Sequence, residues 1–409
     1  MGNMKTIVTN IGMLATPKGT GPRKGPEQGK IEILKDAWVL MEDGLVSQVG
    51  TGPAPAADQT IDAQGHLVTP GLVDAHTHLI FGGWRQNELG MKLHGKTYLE
   101  IQNAGGGIQS TTNATRQATE EELTQKAARA LDEMMGFGVT TMEAKSGYGL
   151  ATEHELKALQ VIKNLNDRHA MDIVATFMGA HLVPAEYKSN RAEYIRLVCE
   201  EMMPKVKEQG IAKYCDVFCE ADTFTVEESR QVLEAGLKYG LTPKIHADEI
   251  EAIGGSQLAG EIGAISAEHL IVCPPEGIAS MAKGGTIACL LPATSFYLGA
   301  VFAPARDMVN AGVPVAMATD FNPGSCPCLN LQFVINLGCL KYKLTPEEVL
   351  TAVTLNAAAA IDMAGQVGSV EPGKQGDLVI WDAPDLDYIC YRMGSNLVRS
   401  VVKKGAVVR

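Results

Sequence analysis

Pro70-Gly71-Leu72-Val73-Asp74-Ala75-His76-Thr77-His78 runs from a turn through a short apolar strand into two histidines one residue apart. On extended backbone, alternate side chains share a face about 6–7 Å apart, so both imidazoles can reach one metal ion. Burying two imidazoles on one strand face without a metal or a charged partner would be expensive. The same arrangement, an apolar run ending in a polar side chain, returns along the chain. Thr141-Met142 leads to Glu143 and Lys145, Phe177 to His181, Ile245 to His246, and Met317 to Asp320. A parallel barrel gathers its functional groups at the C-terminal ends of many strands, whereas a doubly wound sheet concentrates them at one switch point. The distribution therefore predicts a (β/α)8 barrel of the α/β class.

Outward from that stretch, the middle of the chain alternates helices with strands. Thr119-Glu120-Glu121-Glu122, Thr225-Val226-Glu227-Glu228 and Thr345-Pro346-Glu347-Glu348 are capping boxes that open helices. Asp172–Phe177, Pro243–His246, Ala264-Ile265, Thr286–Leu291 and Val313–Met317 read as strands. The two ends of the chain differ from this middle. Thr6–Asn10, Lys30–Leu34, Ala37–Met41 and Leu45–Val49 at one end, with Asp377–Trp381 and Val398–Val408 at the other, are brief β-branched runs. Thr16–Gly29 reads as a loop. The expected organisation is a composite β-sandwich domain from residues 1–68 and 369–409 around a metal-dependent barrel from 69–368.

Composition narrows the classes of function. The 409 residues carry a net charge of −12, which disfavours nucleic acid and anionic membrane as partners. No stretch approaches the roughly 20 apolar residues of a membrane helix, and the nine cysteines, odd in number and scattered, suit reduced thiols in a cytoplasmic protein. A homodimer is compatible with this composition.

The candidate chemistry is hydrolytic. Three neutral imidazoles and one carboxylate leave a bound divalent ion net positive, which brings the pKa of its water toward neutrality. Glu249, three residues after His246, projects toward the same pocket as a proton shuttle. His269, beside Glu268, is placed to polarise a carbonyl or hold the attacking water. Arg85 lies shortly past His78 and is suited to bidentate carboxylate binding; a surface ion pair is its plainer reading. Lys145 raises the idea of a carboxylated lysine bridging two metals, but its expected place just after the third barrel strand, not on the fourth, favours one ion.

Other signals read as structural. His66, His94, His154 and His169 sit in turn or helix context among polar neighbours. Gly105-Gly106-Gly107 lacks the lysine and hydroxyl of a phosphate loop and reads as a turn or lid. Cys326-Pro327-Cys328 and the pair Cys215 and Cys219 lack a second ligand pair for zinc.

Taken together, these residues resemble the amidohydrolase superfamily, and in finer pattern its branch that opens an imidazolone ring. The matching stretches are Pro70–Gly83, Arg85–Glu88, Thr97–Ile101, Ala104–Ile108, Lys145–Leu150, Met178–His181, His246–Glu249, Ser266–Leu270 and Thr319–Ser325. The resemblance implies hydrolysis of 4-imidazolone-5-propanoate to N-formimidoyl-L-glutamate in L-histidine degradation. It implies one divalent ion, Zn or Fe, on His76, His78, His246 and Asp320. Substrate contacts would come from Arg85, Tyr98, Tyr148, His181, Glu249, Asn322, Gly324 and Ser325, and catalysis from Glu249, His269 and Asp320. Glu249 as base with His269 stabilising the oxyanion, and the exchange of these tasks, both fit; Asp320 could also hold the water. Two rivals remain. One is a mononuclear deaminase of a nitrogen heterocycle, disfavoured by Arg85. The other is a non-enzymatic scaffold, which has no physical need for four convergent ligands.

Overall fold

The computed structural model describes residues 4–96, 100–101 and 104–409. Strands β1 (Lys5–Thr16), β2 (Glu32–Glu42), β3 (Leu45–Thr51), β4 (Gln59–Asp62) and β5 (Leu67–Pro70) open the chain. Eight parallel strands follow: β6 (Leu72–Asp74), β7 (Val139–Lys145), β8 (Asp172–Ala180), β9 (Tyr214–Cys219), β10 (Thr242–Ala247), β11 (Ser266–His269), β12 (Ile287–Leu290) and β13 (Val315–Met317). They pair in sequence order from β6 to β13. Beyond this ladder, Asp320 N–H donates to the His76 carbonyl at 3.0 Å and His78 N–H to the Phe321 carbonyl at 2.9 Å, bringing the first and last strands together. The eight strands thus form the (β/α)8 barrel. β14 (Leu378–Trp381), β15 (Val398–Lys403) and β16 (Ala406–Val407) return to the first strands in a mixed sheet ordered β16-β15-β14-β5-β1-β2-β3, with β4 beside β1.

Local chemistry explains the elements. Thr119, Thr225 and Thr345 each form the reciprocal capping box, and the helices they open are Glu120–Gly136, Val226–Lys238 and Pro346–Ala352. Leu123, Ala127, Leu131 and Met134 are the buried face of the first of these. The helix Leu355–Ala360 packs with Val73, Val174, Tyr214, Ile287 and Ala316 in one buried cluster, so an apolar plug lies against residues of five barrel strands.

Several expectations are corrected. Lys30–Leu34 and Ala37–Met41 are parts of one strand, β2: Asp36 is left-handed at φ 51° and bends the strand without ending it. Its partner β1 likewise runs through left-handed Asn10 at a bulge between Val8 and Ile11. The strand expected at Ala264-Ile265 begins at Ser266, because left-handed Gly263 ends the preceding helix there. β9 was not expected at all. Lys145 ends the second barrel strand rather than following a third, since the described residues between β6 and β7 include the helices Glu88–Leu93, Gly107–Gln117 and Glu120–Gly136 and no strand. Among the described residues, no helix is long and apolar enough to cross a membrane.

The loop from Thr16 to Gly29 is not loose. Gln28 is fully buried; its Nε2 donates to the Val315 carbonyl at 3.1 Å, and its Oε1 accepts Val315 N–H at 3.0 Å. It thereby satisfies β13, the strand that leads to Asp320. Gln28→Ala leaves both groups of Val315 without these partners and should cost about 1–3 kcal/mol. The urea midpoint of the variant measures this, and an unchanged midpoint contradicts it.

Candidate metal centre and active site

His76 and His78 leave the end of β6 on one face, as their spacing requires, and their rings lie 5.3 Å apart between centroids. β10 brings His246, whose Nε2 is 3.2 Å from His78 Nε2. Asp320 follows β13, with Oδ1 at 3.3 Å from His76 Nε2 and 3.7 Å from His78 Nε2. All four residues are buried. A tetrahedral set of donors about 2.1 Å from an ion has edges of about 3.4 Å, so these separations are those of a coordination shell. His76 Nε2 and Asp320 Oδ1 have no hydrogen-bond partner despite burial, a cost that a cation removes. The residues therefore fit a divalent metal. His269 also comes within reach, as its ring nitrogen lies within 4.8 Å of donor atoms on both His76 and His246.

Carboxylates fix two of these rings. His76 Nδ1 bonds Glu268 Oε2 at 2.8 Å and His246 Nδ1 bonds Asp216 Oδ1 at 3.1 Å. Each Nδ1 must donate to its carboxylate, which leaves the Nε2 lone pair for the metal. Thr294 Oγ1 donates to Asp320 Oδ2 at 2.6 Å, orienting its carboxylate. Lys145 is fully buried between Glu143 at 2.6 Å and Asp216 at 2.8 Å, and Lys244 lies 3.3 Å from Glu268. Lys145 is thus a counter-charge. Carboxylating it would set a new anion against two carboxylates. Burial drives the pKa of His76, His78 and His269 well below the ordinary histidine range, so the rings are neutral.

Glu249 and His269 are brought together. Glu249 Oε2 stands 3.6 Å from His269 Nε2. Burial first, then the negative charges of Asp320 and Glu220, push the Glu249 carboxyl up to about 8. Burial also raises Asp320 to about 6, opposed by the hydrogen bond from Thr294. Asp248, His269 and Asp320 all have left-handed backbone, at φ 51°, 69° and 57°. Strain held at three adjoining positions of one site marks a constraint tied to function.

His181 stacks on His78 at 4.9 Å with 20° between the planes, and its Nδ1 donates to the Gly147 carbonyl. Burial lowers it to about 4. The Tyr148 ring packs 5.1 Å from His181 and 5.8 Å from His78. Arg85 meets Glu88 through Nε and Nη2, both at 2.8 Å, and its Nη1 lies so close to Gly324 that a Cβ there would meet it at 2.2 Å. Asn322 organises the Asp320–Cys326 turn: its Oδ1 accepts Gly324 and Ser325 N–H, and its Nδ2 donates to the Asp320 carbonyl. Tyr98 lies outside the described residues. The turn before Gly107 docks through Gly107 N–H on Glu88 Oε1 at 2.7 Å, with no phosphate-loop arrangement. His66, His94, His154 and His169 are all absent from the buried set.

The sequence profile of the amidohydrolase family matches residues 67–408. The imidazolonepropionase of Alkaliphilus metalliredigens (strain QYMF) is 51% identical over 410 residues, covering 98% of this chain and 97% of its own. That of Geobacillus kaustophilus (strain HTA426) is 52% identical over 384 residues, covering 92% and 91%. The chain belongs to the amidohydrolase family, among its imidazolonepropionases. Solved structures share the fold. An atrazine chlorohydrolase from Arthrobacter aurescens TC1, complexed with zinc, superposes with a TM-score of 0.73 at 17% identity, covering 98% of this chain and 95% of its own. A. niger ochratoxinase gives 0.72 at 18% identity, covering 100% and 96%.

Sequence reasoning missed Asp216, Thr294 and the neutralising role of Lys145. Asp216 is a lone acid within Tyr214-Cys215-Asp216-Val217-Phe218-Cys219, an otherwise apolar run, and that isolation was the available signal.

The raised Glu249 carboxyl has a consequence for stability. Its ordinary value is 4.5 and its folded value about 8. Between the two, the unfolded chain ionises the group while the folded chain keeps it protonated, so stability is lost as pH rises. Glu249→Gln carries no such proton. The Tm of the metal-free variant should fall less than that of the metal-free wild type across this window, and parallel curves would contradict the assignment.

Proposed function

We propose that this chain acts as an imidazolonepropionase, hydrolysing 4-imidazolone-5-propanoate to N-formimidoyl-L-glutamate in L-histidine degradation. The observation that carries the reading is the convergence of three histidines and Asp320 with Glu249 and His269 at one end of the barrel. His76, His78, His246 and Asp320 would hold one divalent ion, zinc or iron. Such an ion would supply Lewis acidity and a water acidic enough to lose its proton near neutral pH.

The chain's own residues account for the rest. Arg85 binds the propanoate carboxylate, and Glu88 holds the guanidinium plane in place for it. Tyr148 and His181 line the ring, and the Asn322–Ser325 turn closes over its polar end. Water adds to the ring carbonyl carbon, and the bond from that carbon to the ring nitrogen breaks. Glu249 takes the proton from water and delivers it to the departing nitrogen. His269, fixed beside Glu249, steadies the developing oxyanion.

The same reading makes the chain a cytoplasmic enzyme of one small carboxylate-bearing substrate, compatible with a homodimer. Residues 1–68 and 369–409 form its β domain and 69–368 its catalytic barrel.

Loss of the substrate's ultraviolet absorbance tests the proposal. The wild type should consume 4-imidazolone-5-propanoate, and Arg85→Ala should raise KM about tenfold or more, the loss of a charge-assisted pair. Ammonia release from guanine or cytosine, with no action on the imidazolone, would sink the proposal in favour of a deaminase.

A further inference from the structure

Glu220 stands directly after β9, and only 1% of it is exposed. Its backbone is set by a tight turn: Glu220 N–H donates to the Phe224 carbonyl at 3.1 Å, and Thr223 N–H donates to the Glu220 carbonyl at 3.0 Å. The side chain reaches across to the loop after β10. Oε2 accepts Ile250 N–H at 2.9 Å, and Oε1 accepts Glu251 N–H at 3.0 Å and Ala221 N–H at 3.0 Å. Ile250 and Glu251 follow Glu249 immediately and are exposed, so neither contributes a side chain to the core. Just before Glu249, left-handed Asp248 turns the chain. The segment bearing Glu249 is therefore bent on one side and clamped on the other.

We propose that Glu220 is a positioning residue for Glu249. A buried carboxylate loses its hydration, and here it is satisfied by backbone donors that lie in no helix or strand. The clamp sets the direction in which Glu249 leaves the loop, and so its 3.6 Å approach to His269. The barrel does not depend on it, because β9 and β10 pair through their own backbone. This inference rests on the proton-carrying role given to Glu249 above.

Glu220→Ala and Glu220→Gln are measured beside the wild type with 4-imidazolone-5-propanoate. A misplacement near 1 Å costs about 10²-fold, so kcat of Glu220→Ala should fall by that order while KM stays within about threefold. Glu220→Gln, which keeps one accepting oxygen, should lie between. Metal content and Tm should match the wild type in Glu220→Gln even if Glu220→Ala folds poorly. Amide exchange at Ile250 and Glu251 should accelerate in the variants, with β10 protected as before. Wild-type kcat in Glu220→Gln and Glu220→Ala, or a joint fall of metal content and Tm in Glu220→Gln, overturns the positioning role. If the wild type itself leaves the imidazolone untouched, the functional reading fails instead. Exchange then decides the clamp: acceleration confined to the loop supports it, and unchanged exchange overturns it.

Discussion

The barrel is brought to closure by the residues that make the site. The His76 carbonyl accepts from Asp320 N–H, and His78 N–H donates to the Phe321 carbonyl. His76 and His78 from the first strand and Asp320 from the last are thereby fixed relative to each other by main-chain hydrogen bonds. Side-chain rotamers alone could not hold them so closely. The seam also explains why Asp320 tolerates left-handed backbone, a conformation costing about 1–3 kcal/mol for such a residue. Thr294 holds its carboxylate and Asn322 its carbonyl, so the strain is offset by the surrounding bonds.

Electrostatics builds outward from that seam. Glu268 and Asp216 orient His76 and His246, and buried Lys145 and Lys244 balance the carboxylates in turn. Removing one member would leave an uncompensated buried charge, which is why the network holds together as a unit. Above it, buried glutamates repeat one device. Glu155 accepts N–H groups of Gly147, Gly149 and Leu150 around Tyr148; Glu88 accepts Gly107 N–H while holding Arg85; Glu220 accepts from the loop after Glu249. Loops whose backbone would otherwise seek water are held by carboxylates rooted in neighbouring segments.

The site was legible wherever chemistry followed a simple period. His76 and His78 declare themselves because a strand repeats every two residues, and Glu249 because it follows His246 closely in a polar run. The three capping boxes named their helices for the same reason: the pattern is local. Asp216 and β9 were missed: a lone acid in an apolar run marks a buried charge, but it does not say that its partner is a histidine 30 positions later. The continuity of β2 through Asp36 was hidden as well, because a left-handed aspartate reads as a turn until a partner strand runs past it. The place of Gln28 depends on an edge of β13 nearly 290 residues away, which no local pattern can announce.

Three imidazoles and one carboxylate, two of the imidazoles and the carboxylate at the closing seam and the third on β10, are proposed to hold a single metal ion. Anomalous diffraction at the zinc edge from zinc-loaded crystals tests it most directly. One strong peak is expected about 2.0–2.2 Å from Nε2 of His76, His78 and His246 and from an Asp320 carboxylate oxygen. A peak elsewhere, or none at this seam, would contradict it.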